Sequence, residues 1–189
     1  MKIRTKFAVA AAALGAAAVP VAAQTPVPVS AFDSVELRGG GSVTVRHGER
    51  QSVTLLSGDL ETSRFSVDDE GQLNILACQR SCRDYRLRVE IVTPDIDALA
   101  IHGGGSIRTE GAFPSSNQLA VAISGGGSID AEAIESSNVA ASIRGGGSIR
   151  THARTSLAAS INGGGSIRYR GDPDVTTAIN GGGTVSPAQ

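Results

Sequence analysis

The sequence predicts an all-β chain wound as a right-handed parallel β-helix of stacked rungs, about 18 to 22 residues each, with a looser β-rich N-terminal part. Glycine triplets followed by Ser or Thr and then Ile or Val begin at Gly39, Gly103, Gly125, Gly145, Gly163 and Gly181, and the last five begin 22, 20, 18 and 18 residues apart. Ahead of the last four triplets, apolar residues alternate with small polar ones, the period of a strand with one buried face. Beyond the first residues there are no helix signals.

Met1 to Ala23 carries basic Lys2, Arg4 and Lys6, an apolar run from Phe7 to Val19 and small residues before Gln24, the plan of a secretory signal peptide. Read as a membrane anchor, the run is short and almost all alanine, too weakly apolar for the roughly 20 residues a bilayer asks for. No cysteine follows the small residues, which argues against a lipid anchor. The mature chain is expected to begin at Gln24, with residues 24–31 as a linker, 32–185 as one domain and 186–189 as a tail. The sequence stops soon after the last repeat, without a segment for a membrane barrel, so the expected location is exported, periplasmic or extracellular.

From Gly39 to Gly103 lie 64 residues without a triplet. Alternation persists there in Val43-Val45, Val53-Leu55, Phe65-Val67, Leu73-Ile75 and Leu87-Val89-Ile91, with Asp68-Asp69-Glu70-Gly71 as a turn. The stretch reads either as further rungs or as a cap on one end. From Ile101 onward, Ile101, Ile123, Ile143, Ile161 and Ile179 form one inward column, and Ile107, Ile129, Ile149, Ile167 and Val185 a second across the corner. Pro114-Ser115-Ser116-Asn117 and Glu135-Ser136-Ser137-Asn138 read as turns that let rung length vary.

A sharp bend between stacked strands needs backbone angles that a Cβ penalises, and rungs about 4.8 Å apart leave little room at the corner. All three glycines are therefore expected to be packed by neighbouring rungs in each of Gly103-Gly104-Gly105, Gly125-Gly126-Gly127, Gly145-Gly146-Gly147, Gly163-Gly164-Gly165 and Gly181-Gly182-Gly183. On that reading Gly146→Val costs about 1 to 3 kcal/mol.

The opening Phe32-Asp33-Ser34-Val35, the repeated Ile-x-Gly-Gly-Gly-Ser-Ile and the closing Arg170-Gly171-Asp172-Pro173-Asp174-Val175 resemble the bacterial GIN domain, a family described as an autotransporter adhesin head. The resemblance runs from about Phe32 to Val185. Many relatives carry Gly-Ser-Gly-Asp where this chain has Gly-Gly-Gly-Ser. It implies an exported β-helical module and brings no catalytic residues.

Candidate chemistry is sparse. Cys78 and Cys82 enclose a tight loop, and in an oxidising compartment a structural disulfide is favoured over a zinc half-site or a redox pair. The triplets lead into strands and lack a following Lys, unlike a phosphate loop. Calcium-binding nonapeptides need carboxylates where this chain has Arg108, Arg150 and Arg168, and only Asp130 fits. His47, His102 and His152 fall at unrelated rung positions. No catalytic residue, metal ligand or cofactor site is assigned, and the chain is read as non-enzymatic.

Formal net charge is -1, which favours neither nucleic acid nor an anionic membrane, and no membrane insertion is expected after signal cleavage. Arg108, Asp130, Arg150 and Arg168 share an outward column that Arg144 would extend, the candidate ligand face. It reads either as a stripe for an anionic envelope polysaccharide or as a solvated face that pairs with its own carboxylates, the reading favoured here. The function expected is an adhesin-like structural or binding module of the cell envelope or surface, its partner a polysaccharide or another envelope protein. The rival is a polysaccharide-active β-helix enzyme.

Overall fold

Glycine turns the chain from one sheet face to another in rung after rung of the computed structural model, which describes residues 24–79 and 85–188. The signal peptide and the Cys82 half of the expected disulfide lie outside the described residues. Among those described there is no helix, and the strands form one mixed sheet of 15 that wraps an apolar interior.

The first face collects the strands that lead into a corner: β2 (Ser34–Gly39), β6 (Gln72–Leu76), β8 (Ala98–Gly103), β10 (Ser116–Gly125), the later halves of β11 (Ser128–Gly145) and β12 (Ser148–Gly163), and β14 (Asp174–Asn180). The second face collects the strands that leave it: β3 (Ser42–His47), β7 (Arg88–Thr93), β9 (Ser106–Glu110), the early halves of β11 and β12, β13 (Ser166–Arg170) and β15 (Thr184–Pro187). Within each face these strands pair in parallel. Three others run antiparallel: β1 (Thr25–Val27) on β4 (Ser52–Ser57), β4 on β7, and β5 (Arg64–Val67) on β6. The fold established is thus all-β with mixed strand direction.

Residues 39 to 102 do both things the sequence left open. β6 and β7 add a rung in parallel register, while β1, β4 and β5 close that end with antiparallel strands. The rung of β2 and β3 sits between that rung and β8–β9, so Gly39 lies beside Gly103 although they are far apart in sequence. Where other rungs have a triplet, this added rung has a longer sequence between Ala77 and Leu87, and its two ends bond to the next rung through Ala77 N–H to Arg38 O at 2.9 Å and Ser42 N–H to Leu87 O at 2.9 Å. Of the two stretches read as turns, Glu135 to Asn138 is instead strand within β11, whereas Pro114 and Ser115 lie outside any strand and lead into β10 at Ser116. β11 and β12 continue through the third side of the rung, with register shifts between Ala131 and Glu135 and between Ser136 and Asn138 that absorb the extra residues.

The two predicted columns are the core. Leu37, Ile101, Ile123, Ile143 and Ile161 are buried on one face, and Ile107, Ile129, Ile149 and Ile167 on the other. Like stacks on like: Ile123 faces Ile143, and Ile143 faces Ile161. The columns stop being core at the last rung. Ile179 is 45 % exposed because no rung lies beyond it to cover its outer side.

The three glycines of a corner differ, which corrects the expectation for Gly146. Gly145 has φ +125°, and an added Cβ would meet Gly125 O at 2.4 Å. Gly147 would place its Cβ 2.7 Å from Ile123 Cγ2 and 2.9 Å from Gly127 O. Gly146 has nothing within 4 Å and no positive φ. Its N–H donates to Gly125 O at 3.0 Å, a bond that any residue except proline can make. Nothing in the structure explains why glycine itself stands at this middle position.

Gly145→Ala and Gly147→Ala are therefore each expected to lower stability by about 1 to 3 kcal/mol, whereas Gly146→Ala should change it by less than about 0.5 kcal/mol. Urea unfolding of the three variants checks this, and equal losses at all three positions would refute the distinction.

Candidate functional site on the outward arginines

Alternation sends every second residue of the second face to solvent, and parallel register then places equivalent residues in rows along the stack. One row runs Thr44, Arg108, Asp130, Arg150, Arg168, Ser186. The next includes Arg46 beside Glu110, and His152 beside Arg170. Arg108, Arg150 and Arg168 are thus neighbours of one another or of Asp130, as the spacing predicted. Arg144 is not in this row. It lies on the first face beside Ser124 and Asn162, across the glycine corner.

The expected pairing of this face with its own carboxylates is incomplete. Arg46 bridges Glu90 at 3.3 Å and Glu110 at 3.0 Å, Arg154 meets Glu135 at 3.3 Å, and Arg170 meets Glu132 at 3.5 Å. Among the described residues Arg108, Arg144, Arg150 and Arg168 make no ion pair, and all four are exposed. Asp130 turns its Oδ1 toward its own strand, 3.4 Å from Glu132 N–H.

Arg150, Arg168 and Arg170 come together with Glu132 in a cleft of about 590 Å³, whose far wall is Ser186, Pro187 and Ala188. The wall is held by Ala188 N–H to Tyr169 O at 2.7 Å. Three guanidinium groups against one carboxylate leave a local excess of positive charge, and guanidinium donors match carboxylate, sulfate or phosphate oxygens. Arg170 and the closing wall were missed in the sequence. Reading the alternation two residues past Arg168 would have found the arginine, but not the wall.

The other polar groups occupy separate places. His47 stacks edge-on against Phe113 at 5.5 Å. His102 Nε2 lies 3.1 Å from Oε1 of buried Glu36, whose carboxylate also accepts from Arg38 and Gln72. His152 is on the second face beside Arg170. No group of three or more His, Cys, Asp or Glu that could hold a metal occurs among the described residues. On the outer first face, Ala120, Ala122, Ala140, Ser142, Ala158 and Ser160 line a shallow apolar depression of about 420 Å³. Cys78 is not a free thiol.

Asp97 is held above its ordinary range, first by burial and then by the carboxylates of Asp33 and Asp95. Asp59 and Asp68 are held below theirs, mainly by hydrogen bonds from Thr62 and Gln72 respectively. The signs oppose. Asp97 disfavours the fold once ionised, so its penalty appears as pH rises, whereas Asp59 and Asp68 support the fold once ionised and cease to as pH falls. Asp97→Asn should therefore raise stability at pH 7 by at most about 0.5 kcal/mol, since the group is largely exposed, and the gain should vanish below about pH 3.5. Melting curves at the two pH values check this, and a gain that persists in acid would contradict it.

Residues 31–118 and 112–173 match the family model described as "Putative auto-transporter adhesin, head GIN domain". A solved structure titled a putative adhesin, from Bacteroides fragilis NCTC 9343, is similar over 88% of this chain and 96% of its own, with TM-score 0.55 at 17% identity. One titled a putative adhesin from Parabacteroides merdae ATCC 43184 covers 88% and 96%, with TM-score 0.38 at 15% identity. One titled a putative cell adhesion protein, from Clostridium sporogenes ATCC 15579, covers 88% and 98%, with TM-score 0.40 at 12% identity. Only the first is close enough to speak to the fold, and it agrees with the all-β sheet described above. No curated protein matches the chain. With matched segments that reach from residue 31 to 173, this chain belongs to the GIN-domain family of auto-transporter adhesin heads.

Proposed function

We propose that this protein is an exported, non-catalytic binding module of the cell envelope or surface, wound as a right-handed parallel β-helix. Membership in an adhesin-head family supports the surface role, and the signal-like first 23 residues support export. In the exported chain Cys78 is bridged to Cys82 across the loop between Ala77 and Leu87, where it stiffens the one rung corner that lacks a glycine triplet. Among the described residues no helix is long and apolar enough to cross a membrane.

The observation that carries the reading is the set of outward arginines that make no ion pair among the described residues, of which Arg150 and Arg168 meet the Glu132-paired Arg170 in one cleft. A scaffold whose backbone is fixed by neighbouring rungs sets the spacing of these cations before a ligand arrives, so binding has to order only the side chains. The ligand class this favours is a polyanion, such as an acidic polysaccharide of the envelope. The shallow apolar depression on the other face is lined mainly by alanines with the hydroxyl residues Ser142, Ser160 and Thr176, and by no charged side chain.

Immobilised mature protein is expected to bind an acidic polysaccharide such as polygalacturonate at low salt, more weakly at physiological salt, and a neutral dextran not at all. Replacing Arg150 and Arg168 together by Ala should lower the affinity about tenfold or more, with stability changed by less than about 1 kcal/mol. Equal binding of the acidic and neutral polymers, or full affinity in the double variant, would overturn the arginine site. The intact mass of the exported protein tests the rest: it should begin at Gln24 and be two hydrogens lighter than the fully reduced chain.

A further inference from the structure

The two ends of the stack are finished differently. At one end the sheet closes with β1, three residues long and carrying Pro26, and with β5, four residues long and opening on Arg64. Short, proline-bearing or charged edge strands are how sheets avoid pairing with another chain. At the other end β14 pairs only with β12, and β15 only with β13; β15 is itself four residues long and ends on Pro187, so the seven-residue, proline-free β14 is the edge left open. Val175 and Ile179 are 37 % and 45 % exposed there, although Leu157 and Ile161, one rung earlier in the same columns, are 1 % exposed. Charge also fades at this end. Ser186 follows Arg168 in its row, Asn180 follows Asn162 and Arg144 in theirs, and Asp174 is the one charged residue of β14 and β15.

We propose that this end rung is an interaction surface for a second copy of the same chain, two end rungs meeting across a two-fold axis with their open strand edges paired antiparallel. Within the stack, glycine corner lies on glycine corner and isoleucine on isoleucine, so a rung is covered by a rung of its own kind. A second copy brings an end rung with the same open edge and the same exposed Val175 and Ile179, and the two-fold axis reverses its strand direction so that the edges meet antiparallel. The near-neutral edge lets identical surfaces approach without the like-charge repulsion that an arginine row would bring. A two-fold arrangement also closes after two copies, and the finished opposite end prevents growth from head to tail. β14 to β15 spans residues 174 to 187, fewer than the roughly 20 to 30 residues a side of a stable interface, so the pair forms and separates with concentration. This surface is separate from polyanion binding, and its test needs no polysaccharide.

Light scattering coupled to gel filtration should give the mature chain twice its monomer mass at high concentration and the monomer mass on dilution. Ile179→Asp should remain monomeric at every concentration, and Leu60→Asp, at an exposed apolar residue on a different loop, should pair as the unaltered chain does. Asn180→Lys, which leaves the inward columns intact, should also weaken pairing about tenfold or more and so separates lost pairing from lost folding. Hydrogen exchange should show amides of β14 and β15 protected in the concentrated sample and released on dilution. A chain monomeric at all concentrations with freely exchanging β14 amides would overturn the proposal. So would an open-ended polymer, an end rung covered by a different protein, or undiminished pairing in both Ile179→Asp and Asn180→Lys.

Discussion

Backbone contact between successive glycine corners is the constraint on which the rest of this structure depends. Gly126 N–H meets Gly103 O at 2.9 Å, Gly146 N–H meets Gly125 O at 3.0 Å, and Gly164 N–H meets Gly145 O at 3.0 Å. The next bond in each rung runs from Ser128, Ser148 or Ser166 to the third glycine of the corner before it, at 3.0 Å. The hydrogen-bond ladder thus continues through the bend, carried there by the second glycine of each corner and the Ser that follows the third. Keeping the corners in contact fixes the register of both faces at once. A slip of one residue on either would turn its isoleucines to solvent.

That register is what converts a simple sequence alternation into chemistry. The inward members become columns of branched aliphatic side chains, and the outward members become rows with a common spacing. Opposite charges in a row can neutralise one another, as Arg46 does with Glu110. Like charges in adjacent rungs cannot, and Arg150 beside Arg168 leaves two guanidinium groups facing water. Their neighbour Arg170 is tied to Glu132 at 3.5 Å, which leaves the cleft's excess charge on the first two.

The parts of this arrangement legible in the sequence are those set by neighbouring repeats. Ile101 through Ile161, Ile107 through Ile167 and the row from Arg108 to Arg168 all follow from a period near 18 to 22 combined with alternation. What was not legible depends on contacts that the period does not encode. The position of β2 and β3 between β6–β7 and β8–β9 leaves no periodic trace, because the residues that make it are distant in the chain. Exposure of Ile179 has no local signal, since its own segment is indistinguishable from the buried ones before it. Gly146 is a different failure. Glycine recurs there as faithfully as at Gly145 and Gly147, yet the steric reason belongs only to its two neighbours.

Insertion of β2 and β3 into the middle of the stack has a consequence for the order in which the chain assembles. Ser34 pairs with both Gln72 and Ala98, which lie 38 and 64 residues later. By contrast, Val139 pairs with Leu157, only 18 residues on. Closing the longer loops costs more entropy and delays the contacts that depend on them. A chain emerging N-terminus first therefore presents β2 and β3 early with both strand edges bare, and must wait for residues up to 110 before both faces are sandwiched. The later rungs add one at a time onto an edge already made. The earliest rung to be synthesised is thus the one that waits longest for its neighbours, and it is there, more than in the regular repeats, that misassembly would begin.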